Sequence, residues 1–266
     1  QALSRLKTLC DTGGAMAAQA ALAELADLAG LPAQQPEQAP ALSPQGWYDP
    51  DLGAIPAPER CDIAVTFYRS YLVSADTDPI DALLRELRAR GYHAYGLYAA
   101  SLKGAAAGWV EAALHAHSPR AIINATAFSA KGENGRSPLD AAGCPVFQVA
   151  LSTARRKDWL AADRGLSPAD LAMHVVLPEV DGRIFAGVIS FKSPTRQDAD
   201  LQYSRFIHRA DPDRIRTAVN RVDGWLNLQA KPRAERRLAV VLSTYPGKND
   251  QLAHAVGLDA LASTEQ

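Results

Sequence analysis

From residue 61 onward, short apolar runs alternate with segments whose apolar residues recur at helical spacing. Residues 63–67 (IAVTF) form the first such run, largely apolar on both faces, as a doubly covered strand requires. A polar loop follows over 69–77. Asp78 and Pro79 then supply an N-cap and a first helical residue, and Ile80, Leu83, Leu84 and Leu87 recur at i, i+3, i+4 and i+7 before Gly91. Residues 92–98 read as a second strand. Residues 109–117 read as a helix turning Trp109, Val110, Ala113 and Leu114 inward, and 121–123 as a third strand. A fourth apolar run, 145–151, resumes after a Gly-Cys-Pro turn. This β-α-β-α-β order predicts a parallel sheet with helices on its faces and right-handed crossovers.

The flanking regions are less regular. Residues 15–28 are an Ala-rich helix with Met16, Leu22, Leu25 and Leu28 available to one face and Gly30 to stop it. Residues 31–58 carry Pro32, Pro36, Pro40, Pro44, Pro50, Pro56 and Pro58, a linker or extended arm that Trp47 and Tyr48 would pin to a neighbouring surface. Beyond 151, Ser167 and Pro168 start a short helical turn, and 173–177 reads as a strand. Asp181-Gly182 then reads as a hairpin turn into a strand over 184–191. Asp211 and Pro212 cap a long helix through Ile215, Ala218, Val219, Val222, Trp225 and Leu226, and 238–242 is a further apolar strand ending at Tyr245-Pro246. The expected fold is therefore α/β, an open mostly parallel sheet with flanking helices and an added antiparallel hairpin. Residues 1–30 would be the helical end of a preceding region, 31–60 the arm, 61–231 the α/β domain, and 232–266 the first strand and start of a following α/β unit.

Composition narrows the function more by exclusion than by assignment. With 266 residues, 47% hydrophobic and 21% charged, the chain can bury a substantial core. A net charge of −1 and the lack of a long basic block give no electrostatic case for nucleic acid. No apolar run approaches the roughly 18 residues of a membrane span. Cys10, Cys61 and Cys144 are scattered among apolar segments, which suits reduced thiols in the cytoplasm. The opening QALSRLKTLC has no initiator Met and no signal-peptide plan, and is expected to be cut from something longer.

Standard catalytic motifs do not fit. No G-x-G-x-x-G follows a strand, Gly247-Lys248 lacks the earlier glycine of a phosphate loop, and no G-x-S-x-G elbow is present. His115 and His117 point to different helix faces, and His93, His174 and His208 are isolated in sequence. Asn124-Ala125-Thr126 matches a glycosylation sequon but lies at a strand end. The remaining signal is a set of polar residues at strand ends. Tyr68, Arg69 and Ser70 follow the first strand, Ser101 and Lys103 the second, and Asn124, Thr126 and Ser129 the third. Gln148 lies on the fourth and Lys192 ends the hairpin strand. Parallel strands would bring the first three groups to one rim, where open α/β sheets hold ligands. Arg and Lys there suit a carboxylate-bearing ligand.

Several longer segments carry a family resemblance. They are IAVTFYRSYLVSADTDPIDALLRELRARGYHAYGLYAASLK, AIINATAFSA, SPLDAAGCPVFQVALS, GLSPADLAMHVVLPEVDGRI, ISFK, DRIRTAVNRVDGWLNL and RRLAVVLSTYP with the trailing NDQLAHAVGLDALAS. Together they resemble an internal segment of the large subunit of aerobic cobaltochelatase, a family similar in turn to the magnesium chelatase large subunit. Three positions depart from the family pattern. The loop Ser74-Ala75-Asp76-Thr77 stands where the family usually has Ser-Gly-Asn-Thr, and His254 where it has Asn.

The resemblance implies a large subunit that binds the tetrapyrrole hydrogenobyrinic acid a,c-diamide and Co(II), the metal being substrate. An AAA+ ATPase subunit and a second accessory subunit would supply ATP hydrolysis, so that ATP and Mg are not bound by this chain and no resident metal is expected. Under that resemblance Arg69, Lys103 and Lys192 could clamp peripheral carboxylates, with Ser70, Asn124, Thr126 and Ser129 on the same rim. Glu179 and His174 are the candidates for accepting ring N–H protons or handing over the metal. Two alternatives stay open: a structural or partner-docking module, and the magnesium–protoporphyrin branch.

Overall fold

The computed structural model describes residues 1–34, 42–242, 253 and 259–265. Backbone contacts divide the chain into two units, Gln1–Leu226 and Asn227–Gln266.

In the first unit, α1 (Ala2–Thr12) and α2 (Ala15–Leu28) form a helical hairpin. Gly13 and Gly14 make the turn at φ of 69° and 87°, a region glycine enters without a Cβ penalty. Among the described side chains of α2 only the small Ala17 and Ala23 are buried, while Met16, Leu22, Leu25 and Leu28 are exposed. The chain then enters an eight-stranded sheet through β1 (Gln45–Asp49) and β2 (Gly53–Ile55). The segment expected as a linker or arm thus also carries two strands, and Trp47 and Tyr48 are buried between sheet and helices. Its prolines do not prevent this, because Pro44, Pro50 and Pro56 sit just outside the paired residues. Gly46 and Gly96 make the fit possible: a Cβ on either would fall within 3.0 Å of a Tyr98, Phe67 or Tyr48 side-chain atom.

The parallel core is β3 (Ile63–Tyr68), α3 (Arg69–Val73), α4 (Asp78–Ala89), β4 (Ala94–Ala99), α5 (Ala105–His117), β5 (Ala121–Asn124) and β6 (Val146–Ser152). Then come the short helices α6 (Arg156–Ala161), α7 (Pro168–Leu171) and α8 (Leu177–Val180), followed by β7 (Ile184–Pro194), β8 (Phe206–Ala210) and α9 (Pro212–Ala230). The strand order is β2-β1-β4-β3-β5-β6-β7-β8. Strands β4, β3, β5, β6 and β7 are parallel, and antiparallel pairs close both edges, β1 with β2 and β4, and β7 with β8.

The apolar stripe of α4 buries Ile80, Leu83, Leu84 and Leu87 completely. With Ile215, Val219, Val222 and Leu226 of α9 it covers Val65, Phe67, Ile123, Phe147 and Val149 on one face of the sheet. On the other face Val110 and Leu114 of α5 pack with Trp47, Ala64, Leu97, Ile122 and Val146. Removing each large aliphatic side chain from water contributes about 1.5–3 kcal/mol, so these two layers hold the sheet together. Trp225, which keeps the helical spacing of α9, is 42% exposed and meets Phe147 edge-on.

One expected element is replaced. Residues 173–177 are not a strand but a π-helical turn, Ala172–Val176, running from α7 into α8. Burial here recurs every four residues, at Asp170, His174 and Pro178, which is a helical period despite the β-branched composition. Asp181-Gly182 accordingly ends a helix rather than turning a hairpin. Gly182 at φ 83° donates to Glu179 O and Arg183 N–H reaches back to Pro178 O, the C-terminal closure of a helix. Both motifs need a positive φ, which is why the dipeptide misleads. The antiparallel hairpin is instead β7–β8.

In the second unit, a 3-10 turn (Arg233–Glu235) follows α9, and α10 spans Ala260–Glu265. Residues 238–242, expected as a strand, have no regular structure, and Leu238 and Val241 are 88% and 89% exposed. A strand requires a neighbour to take its N–H and C=O groups, and none lies beside it among the described residues. Tyr245-Pro246, Gly247-Lys248 and His254 lie outside the described residues.

Candidate functional site

The connection from β3 leaves toward β4, whereas that from β5 leaves toward β6. The crevice at the carboxyl ends of β3 and β5 is therefore the topological switch point, where open α/β sheets receive ligands. Residues 68–70 form one lip and residues 125–130 the other. Tyr68 spans the two, its hydroxyl donating to Ala127 O at 2.7 Å.

Beneath the crevice lies a buried polar network. Asn124 Oδ1 accepts from the hydroxyls of Thr66 and Thr126, both at 2.8 Å, and from Thr126 N–H at 3.2 Å. Asn124 Nδ2 donates to Gln148 Oε1 at 2.7 Å, and Gln148 Nε2 donates to Thr126 O and Val149 O. All four residues are 2% exposed or less. Asn124 and Thr126 are brought together as the sequence suggested, yet their polar atoms are spent on one another, and their contribution is to shape the lip above.

That lip is pinned from several sides. Ser129 Oγ donates to Asp181 Oδ1 and Ala130 N–H to Asp181 Oδ2, both at 2.7 Å. Phe128 N–H donates to Met173 O at 2.8 Å and Lys131 Nζ to Val180 O at 3.2 Å. Residues 128–131 thus run alongside the 173–181 segment.

The basic candidates separate. Arg69 donates to the carbonyls of Thr12, Leu42 and Ser43 at 2.9–3.0 Å and clasps the preceding segment. Ser70 is exposed at the start of α3. Lys103 is exposed beside a polar cavity of about 460 Å³ that also holds Glu111, Glu133, Asn134, Arg136 and Asp140. Glu179 is exposed on α8.

Lys192 instead joins a group that has no local signature in the sequence. Its Nζ lies 3.4 Å from Asp76 Oδ2. Asp76 in turn holds His208, accepting from its backbone N–H at 2.7 Å and pairing with Nδ1 at 2.9 Å. With Nδ1–H donating, the His208 lone pair sits on Nε2, which is buried with no protein partner. His174 is likewise buried, its Nδ1 also without a partner. Burial drives both imidazoles below their ordinary pKa against the opposing pull of Asp76 on His208 and of Asp170 on both. Two neutral imidazoles each present a buried nitrogen able to accept a proton or meet a borderline metal.

Asp76 and His208 are 132 residues apart, so only the three-dimensional fold unites them. The one sequence-level clue was the loop departure. Ala75 occupies a left-handed φ of 49°, the conformation for which glycine is suited, and Asp76 follows it with a buried carboxylate. Asp170 organises the β6 end, accepting from Ser152 Oγ, Thr153 Oγ1 and Thr153 N–H at 2.9 Å each. Burial pushes the Cys61 thiol up to about 12 and that of Cys144 to about 11, which keeps both protonated at neutral pH. Among the described residues no group of three His, Cys, Asp or Glu side chains is arranged to hold a metal, and no helix is long and apolar enough to cross a membrane.

Fold and site together define an open, doubly wound α/β segment with a polar rim at its switch point, the class that holds a small molecule against strand ends. Residues 9–266 match the model of the CobN/Magnesium Chelatase family, and the chain belongs to that family. It is 37% identical over 206 residues to the aerobic cobaltochelatase subunit CobN of Sinorhizobium sp, covering 76% of this chain. The corresponding subunit of Pseudomonas aeruginosa is 35% identical over 204 residues. A magnesium-chelatase subunit of Rhodobacter capsulatus is 28% identical over 245 residues, covering 82% of this chain and 20% of that protein. The catalytic subunit of cobaltochelatase from Mycobacterium tuberculosis has a similar structure, with a TM-score of 0.61 and 27% identity over 82% of this chain and 19% of that one. The chain spans 16% of the length of each of the two cobaltochelatase relatives.

Proposed function

We propose that this chain is part of the tetrapyrrole-binding large subunit of an ATP-dependent cobalt chelatase, which inserts Co(II) into hydrogenobyrinic acid a,c-diamide. The observation that carries this reading is the higher identity to the two cobaltochelatase subunits, 37% and 35%, than to the magnesium-chelatase subunit, 28%. ATP would be hydrolysed by an AAA+ partner with a second accessory subunit, and the complex would work in the cytoplasm. Metal insertion requires the ring N–H protons to leave, and His208 and His174 are the groups best suited to take them, since each presents a buried basic nitrogen without a protein partner. Lys103 and Lys192 are retained as clamps for peripheral carboxylates. Arg69 serves the clasp to Thr12, Leu42 and Ser43 instead, and Glu179 is kept as a secondary proton acceptor.

A second reading, a structural or docking module, draws on the complete internal satisfaction of Asn124 and Thr126. Insertion by the reconstituted complex tests the proposal. Offered Co(II) and Mg(II) with their respective macrocycles, it is expected to metallate the corrinoid with cobalt. Insertion of magnesium into a porphyrin alone would assign the other branch.

A further inference from the structure

Phe128 is the least comfortable residue of the rim. Its φ of 68° is left-handed, a region that a bulky side chain with a Cβ occupies only under constraint. The constraint is visible on every side. Residue 127 is held through its carbonyl by Tyr68, Phe128 itself by Met173 O, and residues 129 and 130 by both oxygens of Asp181. The effect of this over-determination is to hold a benzyl ring 52% exposed at the switch-point crevice, where folding alone would favour burying it.

Two further features belong to the same rim. The segment bonded to it contains a π-helical turn, a form concentrated at functional sites. That segment also leaves Val176, Leu177 and Val180 exposed at 48%, 38% and 70%. Basic residues border the same loop, with Lys131 inside it and Lys103 and Arg136 on the adjoining cavity, where Glu111, Glu133 and Asp140 stand beside them. An exposed aromatic face with Lys131, Lys103 and Arg136 among mixed charges nearby complements a ligand with a flat conjugated body and a carboxylate periphery.

We infer that Phe128 is a stacking platform for one face of the tetrapyrrole, presented by a strained backbone beside the apolar 176–180 segment. This rests on the chelatase reading and adds a residue to it. Loss of an aromatic stacking partner weakens binding of a flat ring by about tenfold or more.

The test uses the complete subunit and hydrogenobyrinic acid a,c-diamide, with affinity followed by absorbance and stability by thermal unfolding, for Phe128→Gly, Phe128→Ala and Phe128→Trp. Glycine adopts the left-handed conformation freely, so Phe128→Gly is expected to keep or raise the unfolding midpoint while weakening affinity about tenfold or more, as does Phe128→Ala. Phe128→Trp is expected to stay within about threefold of wild type, because it keeps a stacking face. Equal affinity in all three variants would overturn the platform while leaving the chelatase reading standing. A lowered midpoint in Phe128→Gly with unchanged affinity would also overturn it, showing a ring packed against another part of the subunit. A wild-type subunit that does not bind the macrocycle would overturn the chelatase reading and the platform with it.

Discussion

The two sides of the sheet handle buried polar atoms differently. Around β3 and β5, Thr66, Asn124, Thr126 and Gln148 form a closed network in which each amide and hydroxyl meets a partner. Around β7 and β8, His174 Nδ1, Arg183 Nε and Nη2, Ser190 Oγ and His208 Nε2 are buried with no protein partner. No such atom occurs before residue 174 among the described residues. A satisfied network rigidifies, whereas a buried group without a partner costs its full desolvation. The first region therefore acts as scaffold and sets the height and angle of the crevice lip. The second keeps unspent hydrogen-bonding capacity, including the two imidazole nitrogens proposed above as proton acceptors.

Substitutions should separate the two. Asn124→Ala removes the hub of the closed network and strands both threonine hydroxyls and the Gln148 carbonyl oxygen. It is expected to cost about 3 kcal/mol of stability, read by denaturant unfolding, and a loss below about 0.5 kcal/mol would mean that the network is not the scaffold. On the β7–β8 side the effect is smaller and depends on pH. His174 and His208 titrate below their unfolded value of about 6.5. The unfolded chain thus takes up protons first as pH falls, so stability is held above about pH 6.5 and declines below it. Thermal unfolding across pH 5 to 8 checks the sign, and a rise in stability on acidification would refute it. His174→Leu is expected to be neutral or stabilising near pH 7, since it removes an imidazole nitrogen that has no partner, and to flatten part of the pH dependence. A large destabilisation at pH 7 would show that this nitrogen is bonded after all.

What the sequence disclosed follows the range of the forces involved. Helical spacing is local, so Ile80, Leu83, Leu84 and Leu87 announced α4 and its buried face. Apolar runs likewise announced β3, β5 and β6. The π-helical turn escaped because Val175, Val176 and Leu177 carry strand composition, and only contact with the rest of the fold imposes the four-residue period on Asp170, His174 and Pro178. The rim was placed on the carboxyl side of the strands, and parallel topology does bring 68–70 and 124–129 to it. Side-chain direction was not legible. Nothing local tells that Arg69 turns to three backbone carbonyls, or that Asp76 meets a histidine 132 residues away. The strain at Phe128 was equally hidden, since it arises from Tyr68, Met173 and Asp181, which lie far apart in sequence.

Hydrogen exchange on the complete subunit, with and without hydrogenobyrinic acid a,c-diamide, tests most directly the claim that this rim holds the macrocycle. Ligand is expected to slow exchange in residues 69–77, 125–131 and 172–182, while the amides of β3, β5 and β6, already paired in the sheet, change little. Protection confined to other parts of the subunit, with these three segments unchanged, would contradict it.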